Sequence, residues 1–183
     1  MTDRAPTSPA AAPPVLVTAR LRLRPPRPED TRPLLAILDH PAVARHWHGY
    51  DEARVRAELI APEAGKLVWV IEAIDGGEVI GAVQACELGD ATYRHAGIDL
   101  FLAAARQGHG LGPEAIRAVA SHVFTALGHH RIVIDPAADN AHAIKAYLAV
   151  GFRRVGVMRQ YERRSDGRWG DGLLLELIKS EWS

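Results

Sequence analysis

Apolar and polar positions alternate along residues 15–25. Val15, Val17 and Ala19 share one parity, and Leu21 and Leu23 follow with Arg20, Arg22 and Arg24 between them. Period-two spacing predicts one half-buried strand. Leu34, Leu35, Ile37 and Leu38 then recur at helical spacing behind Pro28-Glu29-Asp30. Residues 41–48 read as a short helical piece or a loop. Asp51 caps a further helix through Ile60, with Glu52 in its first turn, and Pro62 and Gly65 end it. Residues 67–74 and 78–87 read as strands joined by Asp75-Gly76-Gly77, a hairpin signal. Leu88-Gly89-Asp90 turns the chain into a strand over residues 93–103, where Ile98, Leu100 and Leu102 alternate.

Helical periodicity returns with Ala115, Ile116, Val119, Ala120, Val123, Phe124 and Leu127, and Gly128 closes that helix. Residues 131–135 form a short β-branched strand stopped by Pro136. Asp139 or Asn140 caps a helix holding Ala143, Ile144, Tyr147, Leu148 and Val150, closed by Gly151. Residues 152–163 and 169–178 make a last hairpin around Ser165-Asp166-Gly167. The strands flanking the long helix should be parallel, as a right-handed crossover. The expected fold is a mixed-sheet α/β domain, one layer of strands with helices packed on it.

At 183 residues the chain makes one domain, residues 15–183. Residues 1–14 are rich in Ala and Pro and lack a long apolar run, which reads as a disordered tail rather than a signal peptide. Lys+Arg and Asp+Glu balance at 22 each, which argues against a dedicated nucleic-acid binder. No apolar run reaches membrane-spanning length, so a cytoplasmic protein is expected. Cys86 is the single cysteine, so neither an internal disulfide nor a cysteine metal cluster can form.

The candidate chemistry centres on Gln107-Gly108-His109-Gly110-Leu111-Gly112, between a strand and a helix. Glycines permit positive φ and close approach of a ligand, and a helix N-terminus offers unpaired N–H groups suited to phosphate. The turn is a phosphate cradle or a plain structural turn. Gly110-x-Gly112-x-x-Ala115 also approaches a dinucleotide fingerprint, with Asp135 at the end of the next strand. Against that reading, Ala104 to Gln107 intervene after the strand and too few βα units follow. A Gly-Lys-Ser/Thr phosphate loop is absent. The nine histidines show no metal-ligand spacing; His46 and His48 share a side only in an extended segment. Cys86 has no charged activator nearby in sequence. Asn140 and Tyr147 are two helical turns apart and share a face.

Gln107-x-x-Gly110-x-Gly112 opening a helix, followed by Asn140, Tyr147 and Gly151-Phe152, resembles the Gcn5-related N-acetyltransferase (GNAT) superfamily over residues 15–178. The resemblance implies a largely antiparallel twisted sheet with helices on both faces and a central parallel strand pair. It implies acetyl-CoA as co-substrate and no metal. The turn, with Gln107, Gly108, His109, Gly110, Leu111 and Gly112, would bind the pyrophosphate. The strand at Leu100, Phe101 and Leu102 would pair with the pantetheine arm and supply an N–H that polarises the thioester. Asn140, with Ala143 and Lys145 on the same helix, would also contact the cofactor, and Tyr147 would protonate the departing thiolate. Gly97-Ile98-Asp99, Asp135-Pro136 and Asp171-Gly172, with Trp47 and Gln84, resemble the aminoglycoside 6'-N-acetyltransferases, enzymes of antibiotic resistance. Trp47, Gln84, Asp99, Asp135 and Asp171 would then hold a polycationic sugar.

The implied reaction is direct attack of a primary amine in a ternary complex. With an ordinary carboxylate value of about 3.9, Asp99 would be a poor base at neutral pH and would mainly orient the amine. Tyr147, at about 10, would stay protonated. The alternatives are an acetyltransferase for protein N-termini or another small amine, or a non-catalytic acyl-CoA-binding module. The terminal hairpin offers a pairing surface for a homodimer.

Overall fold

Thr18 divides the first alternating stretch. Its N–H donates to Leu21 O at 2.9 Å, and Leu21 N–H donates to Thr18 Oγ1 at 3.0 Å. The expected single strand over 15–25 is therefore a pair, β1 (Leu16–Val17) and β2 (Leu21–Arg24), running antiparallel with Leu16 opposite Leu23. The turn has no Gly or Pro to mark it, and it changes the inward parity: Leu16 packs on the core while Val15 and Val17 are exposed, and Leu21 and Leu23 are buried in β2.

The computed structural model describes residues 12–182, so most of the expected Ala/Pro-rich tail lies outside the described residues. Beyond β2 come α1 (Thr31–Leu38), α2 (Pro41–Ala44) and α3 (Glu52–Val55). Asp51 does cap α3, its Oδ1 accepting from Arg54 N–H at 2.7 Å. The helix expected to run on to Ile60 widens over Arg56–Ile60 into a π-helical turn. The remaining elements are β3 (Lys66–Ala73), β4 (Val79–Leu88), β5 (His95–Leu102), α4 (Leu111–Thr125), β6 (Arg131–Ile134), α5 (Ala141–Val150), β7 (Arg153–Arg163) and β8 (Trp169–Ile178). No described helix is long and apolar enough to cross a membrane.

One eight-stranded sheet results, in the order β1-β2-β3-β4-β5-β6-β8-β7. Only β5 and β6 pair in parallel, as α4 crosses from one to the other. Both faces are covered. Ala115, Ile116, Val119 and Phe124 of α4 and Ile144 and Val150 of α5 pack on Ile71, Ile98, Ile132 and Leu175. On the opposite face Leu34, Leu38, Val43, Val55 and Leu59 pack on Val68, Val70, Ala82 and Phe101. The mixed sheet with helices on both faces thus matches the expectation.

One charged group is buried within the second layer. Arg24 forks onto Asp30 with two bonds of 2.7 Å and reaches Glu72 at 2.5 Å, and Asp30 also accepts from Arg27 N–H. Arg24 and Asp30 are 4% and 2% exposed. Removing one partner strands the other charge in a dry site. Asp30→Ala is therefore expected to lower the unfolding free energy by about 3–5 kcal/mol, read as a shift in the urea midpoint.

Candidate active site

The β5–β6 ladder is short. It pairs Ala96 with Ile132 and Gly97 with Val133, and no pair follows, although β5 runs on to Leu102 and β6 to Ile134. β4 stays paired to β5 throughout, up to Gly81 opposite Leu102. The sheet is thus split on one side of β5 only. Ala103 N–H donates to Ile80 O on β4, so alternation turns the backbone groups of Leu100 and Leu102 into the split. Leu100 N–H donates to Asp99 Oδ1 at 2.9 Å, and Leu102 O accepts from Gln107 Nε2 at 3.0 Å.

The glycine turn stands at the mouth of this split. A Cβ on Gly112 would touch methyls of Leu102 and Leu100 at 3.7 and 3.8 Å, so the start of α4 lies directly over β5. Gly108 and Gly110 have φ of +80° and +77°, and Gly110 is the residue before the helix. α4 starts at Leu111, so Pro113 is its third residue and falls in its first turn. The turn is tethered from β1 and β2. Arg20 bonds Glu114 at 2.6 Å and donates to His109 O, while Thr18 Oγ1 and Arg20 N–H both donate to Glu114 Oε1. A groove runs on from the turn between β1 and α4, lined by Val17, Arg20, Gly110, Arg117 and Ser121.

Beyond the last paired rung, Asp99 and Asp135 sit two residues past Gly97 and Val133 on the two diverging strands. Period two puts Asp99 on the face of Gly97 and Phe101, the side of α1–α3. Water reaches Asp99 from the open side of the cleft, and protein walls it on the others. Its carboxyl is pushed up to about 7, by loss of solvation first and by the Asp135 charge second, against the pull of Leu100 N–H and Lys66. Because one side is open, the upward direction follows from the geometry, and its size depends on how much water a bound acceptor displaces. The premise that Asp99 keeps an ordinary carboxylate value does not hold in this cleft.

Gln84 is directly opposite Asp99 in the β4–β5 register, and its buried Oε1 has no hydrogen-bond partner among the described residues. Trp47 packs, tilted, at 4.9 Å from Phe101 and 5.9 Å from Tyr50 between ring centroids, making an aromatic wall beside Asp99. From the other face of the sheet, α5 brings in Tyr147. It is 7% exposed, packs on Phe152 at 6.3 Å and has no hydroxyl partner among the described residues. Burial, then the charges of Asp99 and Asp135, push its phenol well above the ordinary value. Asp99, Asp135 and Tyr147 therefore meet where the sheet splits.

Other expected residues are placed differently. Asn140 caps α5, its Oδ1 accepting from Ala143 N–H at 3.2 Å, so the Ala143 N–H is taken while the Asn140 amide N–H groups stay open to a ligand. Lys145 is exposed on α5. Asp171 is tied to the backbone of β7, accepting from Gln160 N–H at 2.8 Å. In its stead the last hairpin sends Tyr161 and Glu162 toward the cluster. The Tyr161 hydroxyl donates to Asp135 Oδ2, and the Glu162 charge contributes to raising Asp99. The sequence pattern signals neither, because an irregularity in β7 decides which way they face.

Residues 20–153 match the Acetyltransferase (GNAT) domain family. The chain is 30% identical over 156 residues to an uncharacterized N-acetyltransferase, YoaA, of Bacillus subtilis (strain 168), across 81% of this chain and 88% of that protein. It is 31% identical over 128 residues to aminoglycoside N(6')-acetyltransferase type 1 of Klebsiella pneumoniae, across 61% of this chain and 64% of that one. The solved structure of Mycobacterium smegmatis RimJ in complex with CoA-disulfide superposes with a TM-score of 0.75 at 28% identity, covering 94% of this chain and 89% of that one. With the family spanning most of the sheet and the split at its centre, the chain belongs to the GNAT superfamily and is an acetyl-CoA-dependent N-acetyltransferase.

Proposed function

We propose that this enzyme acetylates a primary amine of a small cationic acceptor, the 6'-amine of an aminoglycoside, by direct attack on acetyl-CoA in a ternary complex. One observation carries the reading: Asp99 and Asp135 lie just past the last β5–β6 rung, beside the Trp47–Phe101–Tyr50 wall, with the Glu162 charge also bearing on Asp99. Clustered carboxylates of this kind favour a ligand with several ammonium groups, and aromatic faces favour both sugar rings and cations.

The co-substrate has a matching path. Free N–H groups at the start of α4 suit its pyrophosphate, and the Leu100–Leu102 edge and the Asn140 amide suit the pantetheine arm. Arg20 and Arg117 line the adjoining groove and suit its nucleotide end. Asp99 takes the proton of the attacking amine, Asp135 holds its charge, and Tyr147 gives a proton to the leaving sulfur. Gly110→Ala forces a side chain into left-handed backbone at the cradle. It is expected to weaken acetyl-CoA binding about tenfold, measured by calorimetry, with the far-ultraviolet circular dichroism unchanged.

A second reading, acetylation of a protein N-terminus, is favoured by an open groove lined by Ala138, Asp139, Arg164 and Trp169, which could seat an extended chain. Thiol release from acetyl-CoA with kanamycin or tobramycin, run beside a ribosomal N-terminal peptide, separates the two. Release with the aminoglycoside and mass spectrometry placing the acetyl group at the 6' position is the expected result. Release with the peptide alone moves the acceptor to the second reading, and release with neither removes both.

A further inference from the structure

The last hairpin spends several unusual features on one side chain. Met158 pairs with Gly172 and Glu162 with Gly170, so four steps along β7 face two along β8. The extra residues bulge out opposite Asp171. Within the bulge Gln160 has φ of +51°, the one non-glycine residue with positive φ among the described residues. Such backbone is strained for a side chain of this kind and persists only where its surroundings hold it. The Asp171 carboxylate does so, by accepting from Gln160 N–H. Gly172 then provides the seat, since a Cβ there would lie 2.8 Å from Tyr161 Cδ1 and 3.1 Å from Met158 Cε. The Tyr161 ring lies across β8 at that point, and its hydroxyl donates to Asp135 Oδ2. Tyr161 is otherwise open to solvent, at 48% exposure, so core packing does not account for the arrangement.

We infer that Tyr161 is a positioning residue for the acceptor: it holds Asp135 by one carboxylate oxygen, so that the other faces the amine beside Asp99. The inference rests on the acceptor site proposed above. It also gives the bulge, the Gln160 strain, the Asp171 tether and the bare Gly172 a common purpose. Asp171 acts on the acceptor through Tyr161 rather than by touching it.

The test uses Tyr161→Phe, which keeps the ring and its packing, with the amine that the parent enzyme turns over best. A hydrogen bond to a charged group is lost, so the KM for the amine is expected to rise about tenfold, while the KM for acetyl-CoA and the kcat stay at parent values. Gly172→Ala should raise the amine KM in the parent background and add nothing in the Tyr161→Phe background, because both remove the same contact. An unchanged amine KM in Tyr161→Phe overturns the inference, as does an equal rise for both substrates. The contact is also read without catalysis. In protein labelled with 13C at tyrosine Cζ, the resonance absent from Tyr161→Phe should move in Asp135→Asn, and a resonance that stays put overturns the contact while leaving acetyl transfer intact. A parent that acetylates no amine removes the proposed acceptor site, and with it the positioning role, whatever the resonance does.

Discussion

Tyr147→Phe is expected to lower kcat for acetyl transfer by about two to three orders of magnitude and to leave the dissociation constant of acetyl-CoA unchanged. Tyr147 is the single phenol placed by α5 where β5 and β6 part, and its hydroxyl has no partner among the described residues. A phenol with no protein partner keeps its O–H free to donate, and in the proposed mechanism it gives its proton once a thiolate forms beside it. Burial and the nearby Asp99 and Asp135 charges keep it protonated across the whole working range. A thiolate whose conjugate acid titrates near about 8.5 is a better base than water and draws that proton. Phenylalanine keeps the contact with Phe152, so the fold should persist. Stopped-flow thiol release and equilibrium binding separate the two parameters. A kcat at the parent value would end the acid assignment, and a parallel loss of acetyl-CoA affinity would make the hydroxyl a binding group instead.

Asp99→Asn should lower kcat/KM for the amine about a hundredfold at pH 8 and erase the acidic limb of its pH profile. The groups that bear on Asp99 are Asp135 and Glu162, which raise its value, and Leu100 N–H and Lys66, which lower it. With the carboxyl pushed up to about 7, the base form fills as pH rises through neutrality, so activity climbs there and levels off above. Acetyl-CoA adds a second claimant for the Leu100 N–H that Asp99 now holds. Loss of that bond would raise the carboxyl further, making it a stronger base once the co-substrate is seated. The same shift bears on stability. The folded value lies above the unfolded value of about 3.9, so the native state keeps a proton that the unfolded chain has released between the two. The contribution of this carboxyl to stability is full below the unfolded value and is lost as pH climbs through the folded one. At pH 8 the Asn variant should therefore melt above the parent, and the gap should close by about pH 4. A gap that widens toward acid would contradict the raised carboxyl.

Much of the architecture could be read from local signals, because α4 keeps its core face at helical spacing and Asp75-Gly76-Gly77 marks the β3–β4 hairpin. The hairpin at Thr18 could not, since residues 15–17 are all apolar and no Gly or Pro marks the turn. Asp99 and Asp135 were legible as residues at strand ends, but the raised carboxyl was not. It depends on a through-space charge thirty-six positions along the chain, delivered by the parallel pairing of β5 and β6. Tyr161 and Glu162 escaped for a different reason. Alternation assumes a regular strand, and the extra residues opposite Asp171 change which side chains face the cleft. Asp171 was found as a carboxylate of the right hairpin, yet the group it accepts from is a backbone N–H.

The split between β5 and β6 also has a consequence for the lifetime of the protein. It leaves strand edge exposed in the middle of a sheet rather than at its margin, where Leu100 and Leu102 turn their peptide groups into the gap. Inner edges of this sort invite pairing with any extended chain. On the proposed cofactor path, a pantetheine arm lying there would act as a removable strand and tie folding to acetyl-CoA by mass action. At free acetyl-CoA about a hundred times its dissociation constant, the folded state gains about 2.7 kcal/mol. Removing acetyl-CoA should then speed proteolysis of the purified enzyme, and saturating it should slow that proteolysis.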